Sequence, residues 1–487
     1  MNNQSSNAEV VARVLSGARW ATMLRLVAQL VSWLSTIIVV RFISTHDYGL
    51  NAMLEAPLEL MFLLSTFGLD TALVRARQIS QDELRSVFGW LLLVNAVLFL
   101  AYFFGGNWLA AYFHAPGLEP LARVLAFVFL LVPFRVIPNA LLDRELKFKL
   151  KAKAELIASV ITTLVTLALA VMGAGIWALV AGVMTNRVML AVLLMSLQPW
   201  LIRPSLQLAP ARGMIAFGGI MALTSALAIF GNMLPVLIAG PRLGAELLGI
   251  FAVAMQFALL PMAKIMPVLI PIIFPAFAKF QGQPVAVANY LQKTLAILSL
   301  GLLPVMIGIA CVAEDFVLTV LGEQWLDSAV PLALLSLAVP FRAVASLFRQ
   351  VLGGIGYASL ALKSILLYLL VFMPLVLLGA HYGLPGIVVA VVVTEPVVTF
   401  ITIQMSKRAM DTSLLKIALC LRPAILASAV MALSVLAVQG LLSHQDELVR
   451  LIVEVLAGVL TYLAMLRLFF YAQLEEAIRL LLGKSRT

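Results

Sequence analysis

A chain of 487 residues that is 63% hydrophobic and only 11% charged lies far from water-soluble domains, which are about 45–50% apolar and about 25% charged. With a mean hydropathy of +1.07 and only two cysteines, this composition excludes a soluble enzyme, a disordered chain and a disulfide scaffold. The formal net charge of +10 reads as basic loops of a membrane protein, not as a nucleic-acid surface, and no nucleic-acid partner is expected.

Continuous apolar runs such as Leu91–Phe104 and Leu156–Met172 point to helices, not to the alternating strands of a barrel. The first twenty residues are polar and lack an apolar signal core, so the first span is expected to direct insertion. The expected fold class is an all-α polytopic membrane protein with about fourteen spans, each near the roughly 20 residues that a bilayer core requires. The first six spans are expected at Ala21–Arg41, Ala52–Val74, Val87–Gly105, Val124–Leu142, Leu156–Met172 and Ile176–Leu197. The next six are Met214–Ala239, Leu247–Pro275, Leu295–Val312, Leu332–Leu352, Ser364–Ala380 and Pro385–Ile403, and the last two Pro423–Gln439 and Leu451–Tyr471. Four prolines, Pro261, Pro267, Pro271 and Pro275, predict a broken or extended eighth span. Trp108–His114 and Phe316–Trp325 read as short interfacial helices with aromatic anchors.

Basic residues fall in alternate loops: Arg75 to Arg85, Arg144 to Lys153, Arg203 with Arg212, Lys279 with Lys293, Arg349 with Lys363, and Lys407 to Lys416. By the positive-inside rule this places both termini in the cytoplasm. A multi-pass membrane location with cytoplasmic termini is therefore expected.

The halves repeat. Val132-Pro133-Phe134-Arg135 recurs as Val339-Pro340-Phe341-Arg342, and Gly175–Val180 resembles Gly383–Val388. Asp47-Tyr48-Gly49-Leu50 is echoed by Leu247-Leu248-Gly249-Ile250, so all three matches keep one order and a nearly constant offset. The offset covers six spans, an even number, which gives two halves of parallel topology. The expected domains are residues 1–205 (a six-helix bundle), residues 206–410 (its pseudo-repeat) and residues 411–487 (two further helices and a cytoplasmic tail). Such a repeat suits a transporter that exposes a central cavity to each side in turn.

A charge at mid-membrane costs at least ~2.5–3.5 kcal/mol on insertion scales, so every polar residue in a span needs a reason. In span 1, Thr22, Arg25, Gln29, Ser32 and Thr36 fall three and four apart and form one polar stripe. The stripe faces a cavity or other helices, or Arg25 alone snorkels to the interface. Asn51, Glu55 and Glu59 share a face of span 2; the two carboxylates are counter-charges for Arg25, ion-coupling sites for H+ or Na+, or a structural pair. Arg135 and Arg342 follow the repeated prolines and either line the cavity or snorkel. Asn186 with Arg187, and Glu395 with Thr399 and Thr402, are the matching polar spots of the two halves. Lys264 completes the basic set, and Asn95 is read as an interhelical hydrogen-bonding group. The deep bases Arg25, Arg135, Arg187, Lys264 and Arg342 outnumber Glu55, Glu59 and Glu395, which favours anionic cargo.

The sequence holds no GxxxxGK loop, no HExxH and no CxxC, so neither nucleotide hydrolysis nor enzymatic catalysis is expected. The four histidines are dispersed, and neither a metal site nor a cofactor is expected.

GARWATMLRLVAQLVSWLSTIIVVRFISTHDYGL at residues 17–50, FGLDTALVRAR at Phe67–Arg77 and GEQW at Gly322–Trp325 resemble Wzx-type polysaccharide flippases of the MOP superfamily, in the WzxC/GumJ-like branch. The resemblance covers essentially the whole chain. It implies two six-helix bundles in a V around a cavity, and a substrate of undecaprenyl-diphosphate-linked oligosaccharide moved between leaflets for capsule, exopolysaccharide or O-antigen. It implies that Arg25 matches the first-span arginines of related flippases, which are implicated in diphosphate binding. Pathway polymerases and glycosyltransferases are the partners it suggests, besides membrane lipid. A lipid II flippase and a MATE-like cation-coupled exporter are the alternatives within the same superfamily.

Overall fold

The computed structural model describes residues 20–471 and 475, apart from 21–22, 25–26, 34, 67, 77–78, 208–211 and 443. Thr22 and Arg25 of the expected polar stripe therefore lie outside the described residues, as does the Arg77 end of the FGLDTALVRAR segment. Among the described residues there are helices and connections but no strand.

The helices run α1 (Val27–Phe42), α2 (Thr45–Thr66), α3 (Leu69–Arg75), α4 (Gln81–Tyr112), α5 (Leu118–Ala126), α6 (Val128–Arg144), α7 (Phe148–Val171) and α8 (Ile176–Leu197). They continue as α9 (Arg212–Ala278), α10 (Pro284–Cys311), α11 (Ala313–Phe316), α12 (Ala329–Gly354), α13 (Ala358–Gly379), α14 (Gly383–Met410), α15 (Leu414–Leu441) and α16 (Glu447–Phe469). Ten stretches among the described residues are long and apolar enough to cross a membrane. Three of them hold a pair of helices each: Leu118–Arg144, which contains α5 and α6, Ile229–Met266, broken at Gly244, and Ala358–Met410, which contains α13 and α14. The all-helical polytopic class expected from composition is the one observed.

Local boundaries follow local chemistry. Ser80 and Glu83 form a reciprocal capping box that starts α4, satisfying amide donors at the helix end. Three expected elements differ. Span 2 is not continuous, because Gly68 adopts φ 63° and ends α2 before α3 begins. Trp108–Tyr112 extends α4 and makes no separate interfacial helix, because the helix continues through Gly105 and Gly106; the turn comes at His114, with φ 54°. Phe316–Trp325 is not one helix but the end of α11, a π-helical turn and a 3-10 turn, with Trp325 fully buried.

The chain divides into two compact units, Met1–Gly249 and Ile250–Thr487, with the boundary inside α9 just after the Gly244 break. In the first unit α6 packs on α4 and α8, and α7 packs on α8. In the second unit α12 packs on α10 and α14, and α13 packs on α14. The extra pair, α15 and α16, joins the second unit through α10. A core of Leu69, Leu73, Phe88, Leu91, Val136 and Trp200 ties α3, α4 and α6 to the segment after α8.

Two polar groups fix helices within these cores. Asn95 on α4 is 1% exposed and donates to the carbonyls of Ser65 (2.9 Å) and Leu91 (2.8 Å). Arg144 at the end of α6 donates to the carbonyls of Leu73 and Ala76, filling acceptors that the short α3 leaves open.

Candidate functional site

Each unit carries a polar cluster, and the repeated Val-Pro-Phe-Arg segment contributes to both. In the first unit that segment lies inside α6, with Pro133 buried and Arg135 half-buried. Its guanidinium lies in the field of Asp70 on α3 and of Arg187 on α8. Arg187, also half-buried, stands over the ring of Phe62 with 4.3 Å to the centroid, a cation–π arrangement. Glu55 on α2 lies in the field of Glu59 and Arg187, one turn after Asn51. Glu55 and Glu59 are exposed on their helix face. This cluster therefore sets two guanidiniums among three carboxylates, counting described residues only.

Glu55 was expected to be a counter-charge for Arg25, an ion-coupling site or part of a structural pair, and Arg25 lies outside the described residues. The described cation in its field is Arg187, brought there by the packing of α2 on α8. In the α1 stripe, Gln29, Ser32 and Thr36 are half-buried, and the Thr36 hydroxyl donates to the Ser32 carbonyl at 2.9 Å within its own helix.

In the second unit the segment lies inside α12. Arg342 Nη1 stands 3.7 Å from Glu395 Oε1 on α14, with side chains 19% and 4% exposed. That gap exceeds an N–H···O bond, so the contact is ionic. Glu395 Oε1 is buried without a hydrogen-bond partner among the described residues. Glu395, Thr399, Thr402 and Ser406 follow one face of α14, and all are buried. Thr399 donates to the Phe341 carbonyl on α12 (2.8 Å), Thr402 shares a 2.8 Å bond with Ser364 on α13, and Ser406 donates to the Thr402 carbonyl (2.7 Å). The hydroxyl stripe thus holds three helices together around the ion pair.

Two members of this cluster escaped sequence reading. Arg349 was counted as a loop base, yet it lies in α12 in the field of Glu395, Arg342 and Tyr368. Tyr368 on α13 was passed over as part of an apolar run. Seven-residue spacing from Arg342 was the available signal for Arg349. Lys264 is half-buried on α9 and belongs to neither cluster as described.

An apolar pocket in the second unit lies between α10, α12 and α15, on the side of α12 away from Glu395. Leu302 of α10, Leu337, Pro340 and Phe341 of α12, and Ile425 of α15 line it. Among the described residues no group of three or more His, Cys, Asp or Glu is placed to hold a metal ion.

The overall architecture is shared with two kinds of solved membrane transporter. The lipid II flippase MurJ in an inward closed conformation superposes with a TM-score of 0.77 at 13% identity, covering 93% of this chain and 99% of that one. An inward-facing multidrug resistance MATE family transporter of the MOP superfamily gives 0.61 at 16% identity, covering 79% and 94%. At such identities the likeness concerns the fold. Among sequences, the lipopolysaccharide biosynthesis protein WzxC of Escherichia coli (strain K12) is 24% identical over 376 residues, 76% of this chain and 75% of the relative. The succinoglycan biosynthesis transport protein ExoT of Rhizobium meliloti (strain 1021) is 24% identical over 358 residues, 72% and 71%. The teichuronic acid biosynthesis protein TuaB of Bacillus subtilis (strain 168) is 23% identical over 355 residues, 72% and 73%. The model of the polysaccharide biosynthesis protein family matches residues 38–330, more than half of the sequence. The chain belongs to the polysaccharide biosynthesis protein family.

Proposed function

We propose that this protein is a flippase, moving undecaprenyl-diphosphate-linked oligosaccharide repeat units across the bacterial cytoplasmic membrane by alternating access, for exopolysaccharide, capsule or O-antigen assembly. The observation that carries this reading is the pair of half-buried arginines, Arg135 and Arg342, at equivalent points of two membrane-embedded helices. Lipid does not tolerate such groups, so a polar cargo or a polar partner must meet them. The names of WzxC, ExoT and TuaB support a cargo from polysaccharide synthesis.

The physical task fits the residues. A sugar-diphosphate head cannot enter hydrocarbon without losing hydration worth several kcal/mol per polar group, roughly. In the first unit the guanidiniums of Arg135 and Arg187, with Gln29 and Ser32, replace that hydration, and in the second unit Arg342 does so. The apolar pocket between α10, α12 and α15 offers the polyprenyl chain an apolar surface in the second unit. Glu55 and Glu59 supply carboxylates for H+ or Na+ coupling, and no step of bond making or breaking is assigned to the chain. Basic residues in alternate loops, all on one side of the membrane, support cytoplasmic termini. Enzymes that build or polymerise the repeat unit are the natural partners.

Deletion with complementation, reading lipid-linked oligosaccharide by leaflet, tests this. The expected result is intact unit trapped on the cytoplasmic face and rescued by the wild-type gene but not by Arg135→Gln. Normal outer-leaflet units without the protein would overturn the reading. Trapped lipid II in place of oligosaccharide would transfer the assignment to peptidoglycan precursor transport, and unchanged glycolipids with altered drug efflux would transfer it to export.

A further inference from the structure

We propose that the cluster of Asp315, Arg450 and Glu454, where α16 packs on α10 and α11, binds one exchangeable proton on Glu454, and that this proton leaves Arg450 to Asp315 and so keeps α16 docked. The site stands apart from Glu55 and Glu59 and does not depend on what the protein carries.

The cluster holds one cation and two carboxyl groups. Asp315 and Glu454 are both 0% exposed. Arg450 Nη2 donates to Asp315 Oδ1, which matches one negative charge with the guanidinium. With Glu454 ionised as well, the cluster would keep a net negative charge among apolar helices, and an uncompensated buried charge is strongly unfavourable. A proton on Glu454 brings the sum to zero.

Among the described residues no neighbour supplies a second cation. α16 packs on α10, α11, the π-helical turn and α15. α10 brings Cys311, whose thiol lies in the field of Glu454, while Lys293 sits in the third turn from its other end. α11 adds Glu314, which is exposed, and the π-helical turn Val317–Leu321 carries no titratable group. The charges of α15, Lys416 and Arg422, lie in its first three turns, whereas Gly458, one turn after Glu454, packs on Met431 and Val435. On α16 itself Glu447 is exposed, and Arg467 lies in the last turn.

Hydrogen bonding gives the same assignment. Neither Glu454 oxygen has a partner among the described residues, and neither has the buried Arg450 Nε. Residues four apart on a helix are neighbours, so an ionised carboxylate at Glu454 would take that open donor. A neutral acid leaves it untaken. Asp315 and Glu454 are thus alternative acceptors for one guanidinium. When the O–H bond of Glu454 breaks and its proton passes to water, the new carboxylate draws Arg450 along α16, and Asp315 on α11 loses its partner. Water is close, because Glu454 lies about 10 Å along the axis from the first residue of α16.

The test is infrared spectroscopy of the full chain in lipid nanodiscs at neutral pH, reading the C=O stretch of protonated carboxylic acids in H2O and D2O. Glu454→Gln is expected to remove one acid's share of that band. Asp315→Asn should remove the same share although Glu454 is still present, because the freed Arg450 lets Glu454 ionise. Isotope-labelled glutamate should shift this component in the wild type and shift correspondingly less in Asp315→Asn, an arm that decides the matter if Glu454→Gln misfolds. Thermal unfolding identifies any variant that does. A glutamate with a structural role alone would change melting without moving the acid band. Loss of an ionised carboxylate instead of an acid in Glu454→Gln would overturn the proposal. So would an acid band that persists in folded Asp315→Asn, or one that sodium chloride removes at constant pH, which would make a metal cation the ligand.

Discussion

Arg342 and Glu395 face each other at 3.7 Å across α12 and α14, while the matching positions of the first unit hold two cations, Arg135 on α6 and Arg187 on α8. Equivalent helices therefore carry an ion pair in one unit and a repelling pair in the other. In the second unit the carboxylate is nearly inaccessible, so loss of its cation leaves a buried, uncompensated charge. Breaking such a pair costs about 3–5 kcal/mol, less here because Arg342 remains partly open. Arg342→Gln is expected to lower the thermal unfolding midpoint in detergent, and Arg342→Gln with Glu395→Gln to recover more than half of the loss. A single variant as stable as wild type would show that the pair does not hold α12 to α14.

Gly49 and Gly249 form the closest helix crossing of the first unit. A Cβ on Gly49 would lie 1.6 Å from the Ala245 carbonyl oxygen, and one on Gly249 would lie 1.9 Å from that of Thr45. Backbone cannot yield as a side chain does, so either alanine must push the helices apart. Each is expected to cost about 1–3 kcal/mol or more by overpacking. Gly105→Ala is the control, since nothing stands within 4 Å of its added methyl. It should be neutral or slightly stabilising through helix propensity. Equal melting of all three variants would contradict the close approach.

Much of the architecture was legible because lipid imposes a simple rule: every span must be long, apolar and helical. The repeat arithmetic singled out Arg135, Arg342 and Glu395 before any coordinates, and it marked Gly49 and Gly249 as related without showing that they touch. Arg349 was not legible. A basic residue near the end of an apolar run looks the same whether it snorkels or turns inward. Asp315 shows the same limit of a sequence reading. It follows a span and looks like loop, yet the turn after α10 folds α11 back against α16 and buries it. Tyr368 carried no signal, since aromatic residues are common in spans.

Asn95 offers a calibrated test of how polar groups bind helices here. Its amide links α4 to the last turn of α2 through the Ser65 carbonyl. Interhelical hydrogen bonds in membranes average about 0.6 kcal/mol and reach about 1.7. Asn95→Leu should therefore lower stability only modestly in a detergent melt, by about that amount. A loss of several kcal/mol would mean that shape at this 1% exposed site matters more than the bond.

The last pair docks the C-terminal helices. Arg450 on α16 donates to Asp315 on α11, whose side chain is fully buried, and Glu454 lies one turn further along α16, also fully buried. Neither Glu454 oxygen has a hydrogen-bond partner among the described residues, but its carboxyl lies in the field of Arg450. The two ways of breaking the pair are therefore unequal. Arg450→Gln strands two buried carboxyl groups and should cost about 3–5 kcal/mol. Asp315→Asn leaves Arg450 beside Glu454, which takes over as its acceptor at the i, i+4 spacing that favours such a pair. The asparagine variant should melt clearly above the glutamine variant, and removing Glu454 in its background (Glu454→Gln with Asp315→Asn) should erase the difference. Equal melting of the two single variants would show that Glu454 is no reserve partner, and that α16 is held by Asp315 alone.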